Sequence, residues 1–280
     1  GRMADSNPSP GPDVASADLR AISFVAARLA GRALPAYPGT PPATMAEAYD
    51  IQDEAIRQWP DKVAGWKVGR INAPFDAQYG TDRLVGPIFS RQISRSSGSS
   101  LPIQVIAGGF GAIEGEIVIE SGADAPAQKY EWTIEEAAEL AGILRLGAEV
   151  ASSPLAGIND HGPLVTISDF GNNNGLILGE EVRDWRRSPA SSWRIRTLID
   201  GVEAGFADAS SIPGGPFESF RAALQICARR GLPIRRGMQI STGAVTGVHV
   251  IRPGQSARIE MQGLAPIECS AAAAPSSLTQ

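Results

Sequence analysis

Apolar positions recur at helical spacing in a few stretches of this chain and alternate or run together in most of the rest. A first helix is expected from about Asp18 to Gly31, with Leu19, Ile22, Ala26 and Leu29 on one face and Gly31 as its stop. A second is expected to begin at Thr44, where Thr44-Met45-Ala46-Glu47 has the capping-box pattern. Its apolar face is Ala48, Ile51, Ala55 and Trp59, and Pro60 ends it. Thr133-Ile134-Glu135-Glu136 repeats the capping pattern before a short alanine-rich helix. A last helix is predicted from about Pro216 to Gly231, with Phe217, Phe220, Leu224 and Cys227 on one face. The remainder reads as strands and turns. Asp200-Gly201 between two strand-like runs in 193–208 is a hairpin signal, and Gln262-Gly263 marks another turn between 256–261 and 265–269. This pattern gives an α+β protein, a helical N-terminal part over about 18–64 and a β-rich body over about 65–270. It lacks the regular β-α alternation of a doubly wound fold.

Composition narrows the picture further. With 280 residues, 43% of them hydrophobic, the chain can build a substantial core. Residues 1–17 are rich in Pro, Ser, Asp and Gly and are expected to form a disordered tail, with Gly1-Arg2 ahead of Met3 as an expression remnant. The Ala- and Ser-rich 271–280 segment is expected to be a flexible tail as well. The net charge is -5, and the arginine pairs Arg186-Arg187 and Arg235-Arg236 are short and isolated, so no nucleic-acid partner is expected. No long apolar run or signal-peptide pattern is present, so neither membrane insertion nor export is expected. Cys227 and Cys269 are far apart and without metal spacing, which fits a reducing, cytoplasmic location.

The candidate chemistry starts with two acids in an apolar run, Ala112-Ile113-Glu114-Gly115-Glu116-Ile117-Val118-Ile119. On a strand, Glu114 and Glu116 share a face. Two adjacent carboxylates repel, and a shared divalent cation is the simplest way to keep both ionised. The alternative is an exposed edge strand. Glu149, the one acid in Leu146-Gly147-Ala148-Glu149-Val150-Ala151, is the best third ligand for Mg2+ or Mn2+. Lys67, in Ala64-Gly65-Trp66-Lys67-Val68-Gly69, is a candidate to bind an anionic substrate or move protons; the alternative is a surface lysine with its stem laid on apolar neighbours. Ser241-Thr242-Gly243-Ala244 and Asp169-Phe170-Gly171-Asn172-Asn173-Asn174-Gly175 are turn-like runs that can offer backbone N–H groups to an anion. The chain has no Gly-x-Ser-x-Gly, Gly-x-Gly-x-x-Gly or Walker motif, and its two histidines are His161 and His249.

Taken in order, AYDIQ (48–52), GWKVG (65–69), GPIF (86–89), IEGEI (113–117), GAEVASSPL (147–155), SDFGNNNGLILG (168–179) and STGAVTG (241–247) resemble the 2-keto-4-pentenoate hydratase/oxalocrotonate decarboxylase family, within the fumarylacetoacetate hydrolase-like superfamily. The resemblance spans about residues 18–269. It implies a mixed β-roll or barrel-like body with helices outside, a homo-oligomer, and a divalent metal on Glu114, Glu116 and Glu149. It also places the family's lysine at Lys67 and its Asp after the third ligand at Asp169, both as catalytic residues, and its threonine-glycine pair at Thr242 and Gly243, where the hydroxyl and N–H would hold a substrate carboxylate. The implied substrate is a small 2-oxo-4-enoate or 2-hydroxydienoate from aromatic-ring cleavage, and the implied reaction is hydration. Decarboxylation of a 4-oxalocrotonate-type acid, C–C hydrolysis of an acylpyruvate and a non-catalytic role are the alternatives. Hydrolases of the superfamily use a Glu–His pair ahead of the Glu-x-Glu strand, and no histidine precedes Glu114 here. The chain departs from the family pattern at Arg70-Ile71-Asn72 and Phe170-Gly171-Asn172, both flanking the expected pocket.

Overall fold

The computed structural model describes residues 18–276, so the predicted N-terminal tail and residues 277–280 of the predicted C-terminal tail lie outside the described residues. Helix α1 (Leu19–Ala30) begins where the Asp18 carboxylate accepts the Arg20 N–H and stops at Gly31 in the left-handed conformation. Its buried stripe is Ala21, Phe24, Val25 and Arg28, and Leu19 of the predicted face is 74% exposed. The hydropathy pattern pointed to the wrong face because the buried face carries an arginine. Helix α2 (Met45–Gln58) buries Ala48, Ile51 and Ala55 as expected. Thr44 Oγ1 accepts the Glu47 N–H, but Glu47 turns to the Ala43 N–H and to Arg20 instead of closing the capping box. Short α3 (Phe75–Tyr79) was not anticipated; α4 (Ile134–Leu140) has the complete capping box at Thr133 and Glu136. Short α5 (Pro163–Ser168) was also not anticipated, and α6 (Pro216–Arg229) buries Phe220, Leu224 and Cys227.

The strands are β1 (Val63–Arg70), β2 (Arg83–Phe89), β3 (Ile93–Arg95), β4 (Leu101–Val105), β5 (Phe110–Ser121), β6 (Ala141–Ser153) and β7 (Asn173–Glu181). They continue with β8 (Arg194–Ile199), β9 (Val202–Asp208), β10 (Gln239–Ser241), β11 (His249–Val250), β12 (Ser256–Met261) and β13 (Ile267–Ala273). One mixed sheet runs β2-β1-β10-β5-β6-β7-β3, with β11 added on β5. A second runs β4-β13-β12-β8-β9. The β8–β9 hairpin turns at Asp200 and Gly201, both at positive φ, as the sequence predicted. The predicted C-terminal tail is corrected in part: Ala271, Ala272 and Ala273 pair in parallel with β4 and Ala271 is buried.

The main core lies between the two sheets. Ile113, Ile117 and Ile119 of β5 and Leu144 and Leu146 of β6 meet Ile195 of β8, Ile259 of β12 and Ile267 of β13. Each such buried side chain contributes about 1.5–3 kcal/mol of transfer free energy. At Gly115 a Cβ would lie 2.8 Å from Ile195 Cγ2, so glycine lets the second sheet sit close behind β5. The apolar residues of β5 take this face, and alternation sends Glu114 and Glu116 to the other. On another side, α1 and α2 pack over Phe89 and Phe170 through Ala21, Val25, Ile51 and Ala55.

Candidate metal centre and its cavity

Strand β5 is interior, paired to β10 on one side and β6 on the other, which rules out the edge-strand alternative for its acids. The β5–β6 register sets Glu114 directly opposite Glu149, and directly opposed residues share a face. Glu114, Glu116 and Glu149 are therefore brought together, with carboxylate oxygens all within 4.8 Å of one another and relative exposures of 7%, 1% and 1%. Lys67 comes from β1, beyond β10, and its Nζ still lies 3.3 Å from Glu149 Oε2. Three strand spacings are ~14 Å in a flat sheet, so side-chain length and the curl of the sheet together close this gap.

The electrostatics of the cluster are unbalanced. Burial pushes the Glu114 and Glu116 carboxyls well above the usual carboxylate range, and the Glu149 charge pushes the same way. Burial also works against the Lys67 ammonium, but Glu149, Glu114 and Glu116 outweigh it and raise its pKa. Lys67 is buried, which excludes the surface-lysine alternative, and it donates to the Gly171 carbonyl at 2.8 Å. Glu116 Oε1 accepts from Ser241 Oγ at 2.7 Å and from the Gly243 N–H at 2.8 Å, whereas Glu116 Oε2 is buried with no partner. Glu149 Oε2 accepts from Asn173 Nδ2 at 2.9 Å. One ammonium faces three carboxylates, one oxygen is orphaned, and the donors are all hard oxygens. This set fits a divalent cation of the Mg2+ or Mn2+ type.

Two sets of residues expected at the substrate are engaged within the protein in this structure. Asp169 is not brought to the cluster's cavity: Oδ1 pairs with Arg28 Nε at 2.8 Å, Oδ2 accepts from Ser153 Oγ, and the residue is 1% exposed. Its charge is spent on Arg28, which no local pattern could reveal. Thr242 and Gly243 do line the cavity, but the Thr242 hydroxyl donates to the Ile117 carbonyl at 2.6 Å and the Gly243 N–H donates to Glu116. Both donors expected to hold a substrate carboxylate instead tie the 241–243 segment to β5. Sequence reasoning missed Ser241 and Asn173 as the groups that orient Glu116 and Glu149. Their signal was present, since each stands in a run already noted for its turn-like residues.

The cluster opens into a cavity of about 680 Å3, whose lining includes Lys67, Arg70, Asn72, Asn172, Thr242 and the three glutamates. Neither histidine lines it. His249 pairs with Thr246 Oγ1 at 2.9 Å, and His161 is exposed. A larger cleft of about 880 Å3 lies elsewhere, among Arg95, Arg145, Glu181 and Trp193, and holds none of the clustered carboxylates. Among the described residues no helix is long and apolar enough to cross a membrane.

No protein-family model matches the chain. A stretch of 106 residues is 27% identical to a 4-oxalocrotonate decarboxylase from a Pseudomonas species, covering 37% of this chain and 40% of that relative. Among solved structures, 4-oxalocrotonate decarboxylase from Pseudomonas putida G7, complexed with magnesium and adipate, superposes with a TM-score of 0.75 at 19% identity. That match covers 90% of this chain and 95% of the other. The same enzyme complexed with calcium and acetate gives 0.73 at 20% identity over the same shares. Fumarylpyruvate hydrolase from Pseudomonas aeruginosa, in complex with Mn2+ and pyruvate, gives 0.54 at 16% identity, covering 76% of this chain and 91% of that one. The chain thus has the fold of the fumarylacetoacetate hydrolase-like superfamily, and its relatives by sequence and by structure include 4-oxalocrotonate decarboxylases, in agreement with the family its motifs resemble.

Proposed function

We propose that this chain is a divalent-metal-dependent lyase acting on small unsaturated 2-oxo acids or their 2-hydroxydienoate tautomers. The observation that carries the reading is the buried Glu114, Glu116 and Glu149 cluster beside Lys67 at the floor of one cavity. The three glutamates would hold Mg2+ or Mn2+, which when bound supplies a Lewis acid able to draw electrons from a 2-oxo oxygen. Ser241 and the Gly243 N–H fix Glu116, and Asn173 fixes Glu149, so the ligand set is pre-oriented. Lys67 is held by the Gly171 carbonyl and Glu149, keeps its proton, and is placed to present an N–H to a substrate oxygen or to pass a proton at Nζ.

Two lyase reactions suit such a site, because water addition and loss of CO2 both need electrons drawn toward the 2-oxo group. The motifs resemble a family that holds both activities and separate them poorly; hydration is the first reading. The likeness to 4-oxalocrotonate decarboxylase along 90% of the chain supports decarboxylation as the second reading. C–C hydrolysis ranks below both, because neither histidine lines the cavity to pair with a glutamate as water activator. The test is ultraviolet-monitored turnover of 2-hydroxypenta-2,4-dienoate, 4-oxalocrotonate and an acylpyruvate, with Mg2+ or Mn2+ and after EDTA. Loss of the dienoate signal supports hydration, and CO2 release from the diacid supports decarboxylation. Full turnover by EDTA-stripped protein would refute the metal-dependent reading.

A further inference from the structure

Most polar groups of the cavity are engaged within the protein; Asn172 is not. It lines the cavity and is 6% exposed, yet its Oδ1 is buried without a partner, and its carboxamide makes no hydrogen bond among the described residues. Buried amides are ordinarily paired, and an unpaired one at the wall of a cavity calls for an explanation. The loop that carries it is fixed from both sides. Phe170, Gly171 and Asn172 are all at positive φ. A Cβ on Gly86 would lie 2.2 Å from the Phe170 carbonyl oxygen, so β2 presses directly on this turn. The Asn172 N–H donates to the Asp169 carbonyl at 2.8 Å. Its two chain neighbours belong to the cluster: Lys67 donates to the Gly171 carbonyl, and Asn173 donates to Glu149. Asparagine does tolerate the left-handed backbone, but glycine meets that demand with less strain and without burying an amide. The backbone alone therefore does not explain the side chain.

We propose that Asn172 is a substrate-contacting residue of this cavity. Its carboxamide N–H donates to an oxygen of the bound 2-oxo acid; the carbonyl oxygen, buried in this rotamer, meets a ligand hydroxyl only when the amide turns. A half-turn of the amide exchanges the two ends, so the pairing holds in either orientation. The inference rests on the reading of the cavity as a 2-oxo acid site, and the experiment separates the two. Binding of 2-oxopentanoate to Mg2+-loaded protein is measured by calorimetry, with Mg2+ affinity and Tm recorded alongside. Asn172→Gly keeps the backbone and removes the amide. It is expected to weaken 2-oxopentanoate binding about ten-fold, the worth of one hydrogen bond, with Tm and Mg2+ affinity held. Asn172→Asp keeps the shape but sets a negative charge against an anion, and is expected to weaken binding further; it serves also if glycine loosens the loop. If the wild type binds and Asn172→Gly binds equally tightly, the Asn172 assignment is overturned and the site reading stands. If the wild type itself does not bind 2-oxopentanoate, both are overturned.

Discussion

The Arg28–Asp169 pair decides whether Asp169 belongs to the chemistry or to the frame around it. Arg28 Nε and Asp169 Oδ1 are 2.8 Å apart, with side chains 2% and 0% exposed, and 141 residues separate them along the chain. The same guanidinium donates to the Ser152 carbonyl at 2.8 Å and to the Asn173 carbonyl at 3.1 Å, so it ties α1 to β6 and to the start of β7. At an effective dielectric of about 20 a contact of this length is worth roughly 6 kcal/mol before desolvation. Removing one partner strands the other charge in the interior, which costs about 3–5 kcal/mol. In a large domain each kcal/mol moves Tm by about 2–4 °C, so Arg28→Ala is expected to lower Tm by roughly 6–20 °C. Asp169→Asn, which keeps the shape, should fall at the lower end. The double variant Arg28→Met with Asp169→Leu should lose less than the two single changes added together, because no buried charge is left unpaired. Thermal melts of metal-loaded protein give the stability, and kcat is measured well below each Tm. Neither side chain lines the cavity, so kcat is expected to stay within a few-fold of wild type. The reasoning is refuted if Asp169→Asn loses about 100-fold or more in kcat, the range of a proton-transferring group, while its Tm is unchanged.

The glutamate cluster makes a prediction of opposite sign in the metal-free and metal-loaded states. Glu116→Gln relieves repulsion, so the metal-free variant should melt above metal-free wild type yet lose the rise in Tm that Mg2+ or Mn2+ confers; a cation-induced rise of wild-type size would remove Glu116 from the ligand set. The pH dependence follows from the raised Glu114 and Glu116 pKa values. The folded state holds these protons more tightly than the unfolded state. Their contribution to metal-free stability is therefore present below the unfolded carboxylate pKa and lost as pH rises through the folded values. The Tm gap between Glu114→Gln/Glu116→Gln and wild type, both metal-free, should widen from pH 5 to pH 8, and a flat gap would contradict the buried cluster. Lys67→Met should cut kcat by about 100-fold or more while strengthening cation binding, since an opposing charge leaves the site. Unchanged kcat with tighter cation binding would reduce Lys67 to a counter-ion.

What the sequence disclosed depended on how local the cause was. Helix ends were legible because caps act within a few residues: Asp18, Gly31, Thr133 and Pro216 stand where the helices start or stop. The shared face of Glu114 and Glu116 was legible because strand alternation is local. That Glu149 stands opposite Glu114 was not, because register is a property of two strands; the sequence offered Glu149 only as the one acid in an apolar stretch and as a motif position. The buried face of α1 was misread because Arg28 breaks its apolar stripe, and the reason for Arg28 lies at Asp169, far along the chain. For the same reason the engagement of Asp169 by Arg28 could not be foreseen from the motif that singled it out. Thr242 and Gly243 show a third limit, since sequence places a donor near a site without fixing which way it points, and here β5 takes both. The departure from the family pattern at 170–172 proved more informative than several of the matches. The loop there sets an unpaired Asn172 into the cavity between the carbonyl that holds Lys67 and the side chain that holds Glu149. A segment so tied to Lys67 and Glu149 has little freedom to drift without disturbing them, so a change of residue type within it bears on the shape and polarity of the cavity.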